Sequence, residues 1–81
     1  MFYEVRKTYR YFSDEAESVS VFFQVQKRAM EYRETLIENA KCSLTDPTIS
    51  EDGEKTFIVS WEDGYEVVIE IIPRSFADPD Q

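Results

Sequence analysis

Histidine is absent, cysteine occurs once, and only two glycines and three prolines are spread over 81 residues. Each scarcity closes off a class of chemistry. Without histidine there is no Ser-His-Asp or Cys-His nucleophile pair, and no side chain whose ordinary pKa lies near neutrality for acid-base work. One cysteine and no histidine cannot build a usual zinc site. Gly53 and Gly64 are too far apart for a dinucleotide-binding glycine loop or a P-loop. Cys42, being single, excludes an intramolecular disulfide and suits a reducing compartment. There is no signal-like apolar block at the start and no run of about 18 apolar residues. The chain therefore reads as cytoplasmic, without membrane association and without a cofactor. It is not expected to be an enzyme: carboxylates are the one catalytic type left in quantity, and no spacing among them marks a pair.

What is present is aromatic and acidic. Twelve Phe, Tyr and Trp residues make up 15% of the chain. They carry the buried area that so small a domain needs, since it hides only roughly 60 to 65% of its unfolded surface. A single domain over residues 1–81 is expected. Seventeen Asp and Glu stand against nine Lys and Arg, a net charge of −8. The imbalance is uneven: residues 1–12 carry Arg6, Lys7 and Arg10 against Glu4, whereas the remainder carries sixteen acidic and six basic side chains. A surface this acidic repels phosphate, so direct nucleic-acid binding is not expected.

Along the chain, residues 2–12 are dense in aromatic and β-branched types, with Tyr3, Val5, Lys7, Tyr9 and Tyr11 alternating against Glu4, Arg6, Thr8 and Arg10. This predicts a strand with an aromatic face and a charged face. Residues 14–40 admit two readings. As a strand, Val19, Val21, Phe23 and Val25 alternate with Ser18, Ser20, Gln24 and Gln26. As a helix, Glu17, Ser20, Gln24, Lys27, Arg28, Glu31, Glu34, Thr35 and Glu38 fall in one polar arc about 120° wide. Ser13 or Asp14 with Glu17 has the spacing of a capping box, and Asp-Glu-Ala-Glu supplies no hairpin residue suited to positive φ. One long helix over 14–40 is favoured.

A loop follows over 41–54, then a hairpin over 55–72 and a tail over 73–81. A three-residue connection through Glu62, Asp63 and Gly64 would pair Trp61 with Tyr65, Val59 with Val67 and Phe57 with Ile69, gathering these apolar residues on one face. The expected architecture is α+β, a three-stranded antiparallel sheet in β-α-β-β order on one long amphipathic helix. The alternative is ββαββ with a four-stranded sheet. Arg6 and Arg10 would share the sheet's outer face with Glu66 and Glu70, which places the first strand beside the last.

Two surfaces stand out. Glu31, Glu34 and Glu38, with Glu62 and Asp63, form a candidate acidic surface that could dock a basic partner or imitate phosphates, although most such rows are solvated helix faces. Val21, Val25 and Tyr32 lie at the edge of an apolar helix arc about 220° wide, and Ile58, Val68 and Ile72 lie on the sheet's outer face. These six form a candidate partner surface. Gln26 and Arg33 inside the apolar arc fit a packed interface or snorkel to water. The acidic loop of Asp46, Glu51, Asp52 and Glu54 lacks calcium-loop spacing; Cys42 reads as incidental, and Trp61 as core. The expected function is a small acidic protein-binding module, self-associating as a homodimer or serving as an accessory subunit. The alternative is an acidic inhibitor that mimics phosphates and blocks a nucleic-acid-binding protein.

Overall fold

The structure, a computed structural model, describes residues 1–11 and 16–75. Its elements are β1 (Phe2–Tyr11), β2 (Ala16–Phe23), α1 (Gln26–Ser43), β3 (Thr48–Asp52), β4 (Lys55–Ser60) and β5 (Tyr65–Arg74). All five strands form one antiparallel sheet in the order β2-β1-β5-β4-β3, and α1 lies across one face of it. This overturns the three-stranded β-α-β-β expectation; the four-stranded ββαββ alternative comes near, having β2 and lacking only β3. β2 and β3 occupy the two edges.

β2 takes the first third of the expected helix. Ser-Val-Ser-Val-Phe-Phe is a stiff, β-branched and aromatic run, and β1 offers it a matching row: Phe23 faces Tyr3, Val21 faces Val5, and Val19 faces Lys7. Ser20 and Gln24 satisfy a helical arc as well as the strand alternation, so periodicity alone could not separate the two readings. Of the proposed capping box, Ser13 and Asp14 lie outside the described residues, while Glu17 sits in β2 opposite Tyr9.

The helix begins instead after Val25, with no side-chain cap and no acidic residue in its first turn. It starts without a local signal because burial holds it in place. Ala29, Leu36 and Ala40 are buried, and Tyr32, Ile37 and Leu44 pack around them at helical spacing. These residues meet Val5, Ile58, Val67 and Ile69 from the sheet to form the core.

The β4–β5 register is also corrected. Ser60 pairs with Tyr65, Ile58 with Val67 and Thr56 with Ile69, around a four-residue turn at 61–64 in which Gly64 takes φ 66°. Every side chain of β4 is thereby on the face opposite to expectation. Ile58 is in the core at 0% exposure, Phe57 and Val59 face outward, and Trp61 sits in the turn, 74% exposed. Thr56 and Ser60, both small, share the helix side of β4 with Ile58 and are almost fully buried, at 2% and 0% exposure. The buried hydroxyls are satisfied. Ser60 Oγ donates to the Thr45 carbonyl at 2.7 Å and accepts from the Asp63 amide at 3.2 Å, and Thr56 Oγ1 accepts from Arg33 Nη2 at 3.5 Å.

β3 arises inside the expected loop, joined to β4 by a two-residue turn whose first position, Gly53, takes φ 64°. By contrast, β1 does lie beside β5, with Arg6 opposite Glu70 and Arg10 opposite Glu66.

Candidate functional site

The sheet face away from α1 has no element over it among the described residues, and strand register arranges it in rows. One row runs across all five strands as Asp52, Lys55, Glu70, Arg6 and Ser20, a ladder of alternating charge. The next runs Ser50, Phe57, Val68, Thr8 and Ser18, and the third begins Thr48, Val59, Glu66 and Arg10. Ile72, Glu4 and Phe22 form a row on the other side of the ladder. The charged groups are Arg6, Arg10, Lys55 and Arg74 against Glu4, Asp52, Glu66 and Glu70. This face is neutral in a chain whose net charge is −8. Helix α1 is not acidic either, since Lys27, Arg28, Arg33 and Lys41 outnumber Glu31, Glu34 and Glu38. The excess of carboxylates resides in the turns, the edge strands and the chain segments at 12–15 and 76–81.

The face is held together by Glu4, 4% exposed although it belongs to the solvent side. Its Oε2 accepts from Ser20 Oγ at 2.6 Å and Arg6 Nε at 3.1 Å, and its Oε1 accepts from Arg74 Nη2 at 2.8 Å and Nε at 3.0 Å. The Ser20 hydrogen bond, ahead of the Arg74 and Arg6 guanidinium contacts, outweighs desolvation and holds the carboxyl at about 2 instead of 4.5. Three strands are joined at this point, and Phe2 and Phe22 pack beside it with their rings tilted, 5.8 Å between centroids. Arg10 Nη2 meets Glu66 Oε1 at 2.6 Å, and Arg6 reaches Glu70 at 3.9 Å. These pairs leave a shallow depression of about 250 Å³ over Phe57 and Val68, below the size of ordinary ligand pockets, roughly 300 to 1,000 Å³.

The expected partner surface is not one surface. Ile58 is core and has to be withdrawn from it. Val68 and Ile72 are half-buried on the open face, whereas Val21 and Tyr32 are half-buried on the helix side, where Tyr32 packs on Phe23 at 5.3 Å. Val25 is exposed where β2 passes into α1. The wide apolar arc that suggested an interface came from winding β2 into the helix, and it vanishes once those residues are a strand. Arg33 reaches β3, donating from Nη2 to Glu51 Oε1 at 3.1 Å.

The expected acidic surface is likewise divided. Glu31, Glu34 and Glu38 are exposed on α1, with Lys41 Nζ 3.5 Å from Glu38. Glu62 and Asp63 lie in the β4–β5 turn, where Asp63 acts as a clamp. Its Oδ2 accepts the Thr45 amide at 2.8 Å, tying that turn to the segment after α1. That backbone hydrogen bond holds the Asp63 carboxyl below its ordinary pKa.

Sequence reasoning missed Glu4, Ser20, Arg74, Phe57, Val59 and Phe22. The signal for Glu4, Ser20 and Phe22 was the even-numbered alternation of β1, which continues into β2 only when that segment is read as a strand. Among the described residues, no three carboxylate or thiol groups converge to hold a metal ion, and no helix is long and apolar enough to cross a membrane. Among the described residues, fold and surface define a class, a single helix on a five-stranded antiparallel sheet with a neutral, uncovered outer face. No protein family, curated protein or solved structure matches this chain.

Proposed function

We propose that this chain is a small acidic protein-binding module, without catalysis of its own, that works as a self-associating or accessory subunit. The observation that supports it best is the open sheet face. An isolated face of this kind is ordinarily dominated by solvated polar groups, yet this one places Phe57, Val59, Val68, Ile72 and Phe22 among charges that neutralise one another. A neutral, partly apolar face suits a folded protein surface better than a polyanion or a polycation. The single exposed thiol, Cys42, fits the cytoplasm. The phosphate-mimic reading has less support, because the carboxylates are distributed among turns and edges instead of gathered on one face.

The test is affinity capture with the wild-type chain and Val68→Glu, each at low and high salt. Capture that survives high salt and is lost with Val68→Glu supports the open face. Capture that collapses with salt and is indifferent to Val68 overturns it in favour of an electrostatic surface.

A further inference from the structure

The two edges of the sheet are built differently. β3 is five residues long, exposed throughout, and carries Glu51 and Asp52, with Glu54 in the adjoining turn. Charge and brevity are the usual devices that keep an edge from pairing. β2 has neither. It is eight residues long, its one charged residue is Glu17, and it contains no lysine, proline or glycine. On its helix side Val19 is 56% exposed, and on its open side Phe22 is 59% exposed.

We infer that β2 is the surface on which the chain pairs with a second copy of itself, antiparallel, to make a continuous ten-stranded sheet. The inference deepens the self-association in the proposed function and rests on that part of it. Charge selects the occupant. Two chains at −8 repel, and residues 1–23 are the stretch of least repulsion: Arg6, Lys7 and Arg10 stand there against Glu4, Asp14, Glu15 and Glu17, whereas six basic and thirteen acidic residues follow.

Geometry then fixes the arrangement. In an antiparallel pair, opposed residues either both exchange hydrogen bonds or both do not, and the amides of β2 that point away from β1 belong to alternate residues. Each residue must therefore oppose one of its own parity, which lies on the same sheet face. The two-fold axis is perpendicular to the sheet, both helices lie on one side, and the two neutral faces join on the other. A register centred on Val19 or Ser20 would set Glu17 against Val21 or Phe23 of the second copy. Centring on Val21 leaves Glu17 outside the ladder, covers Val19 with the second copy's Phe23, and places Phe22 against Ser20.

The test is sedimentation of the full chain at micromolar to high micromolar concentration, at two salt concentrations, with Val19→Lys/Phe22→Lys and with Val21→Cys in a Cys42→Ser background. A dimer that tightens with salt, weakens by about tenfold or more in the double lysine variant, and cross-links on mild oxidation through Val21→Cys is the expected result. Circular dichroism of the lysine variant separates lost pairing from lost folding, and the Val21→Cys chain needs no disruptive change. A monomer at every concentration overturns the inference; if it still captures a partner through the open face, the binding-module reading stands. A dimer that ignores the lysines and does not cross-link places self-association elsewhere. A monomer whose β2 amides gain protection from exchange only when a different protein is added replaces the second copy with that protein's strand.

Discussion

Glu4→Gln removes the charge and turns one of the two accepting oxygens into a donor. The amide oxygen can still accept from Ser20 and Arg6, but the NH2 then faces the Arg74 guanidinium, so the substitution removes the ionised state together with the Arg74 hydrogen bonds. In the folded chain the carboxyl is held at about 2 instead of 4.5. A tenfold change in proton affinity is worth about 1.4 kcal/mol, which caps the contribution at about 3.5 kcal/mol. Arg6 and Arg74 retain 35% and 45% of their side-chain exposure, and solvent screening at such sites reduces this to about 1.5 kcal/mol. For a domain of this size that corresponds to a melting temperature lower by roughly 6 to 12 °C at neutral pH. The sign follows from the depressed pKa. Stabilisation by Glu4 is fully present above the unfolded value of 4.5 and fades as pH falls through about 2. Thermal melts of both proteins between pH 7 and 2 should therefore show a gap that is constant down to about pH 5 and narrows below it. Equal melting temperatures at pH 7, or a gap that does not narrow in acid, would refute the role given to Glu4.

The β4 register is tested by truncation on its two faces: Ile58→Ala should cost roughly 3 kcal/mol in urea unfolding, as fully buried isoleucines do, and Phe57→Ala distinctly less despite its larger side chain. The reverse order would restore the three-residue turn. Asp63→Asn should lower the melting temperature and speed hydrogen exchange at the Thr45 amide. Because the Asp63 carboxyl is held below its ordinary pKa by that hydrogen bond, the effect should be present at neutral pH and lost as the solution is acidified past the usual aspartate range; an unchanged exchange rate would show that the clamp does not hold.

Much of the fold was legible where one period dominates. β1 was readable because its alternation runs for ten residues without conflict, and its place beside β5 followed from Arg6 and Arg10 matching Glu70 and Glu66. Residues 17–25 were not legible alone. Ser20 and Gln24 sit at spacings that satisfy both periods, and the choice is made by the row that β1 presents. β3 was hidden because Thr48 to Asp52 carries little apolar content, and its pairing with β4 supplies what its side chains do not. The candidate site shared this fate. Val68 and Ile72 were placed on the outer face correctly, but Ile58 was not, because a single added turn residue inverts all of β4.

The chain by itself determined the absence of histidine chemistry, the acidic balance, the aromatic mass available for a core, and a basic first strand able to neutralise the last. These depend on composition and on local alternation, which survive any tertiary arrangement. Only the tertiary structure decided the length of the β4–β5 turn, the start of α1 and the neutrality of the outer face. Each is a competition between arrangements that are locally almost equal, and it is resolved by which side chains of β4 are buried on the helix side, and by which strand receives Val19, Val21 and Phe23.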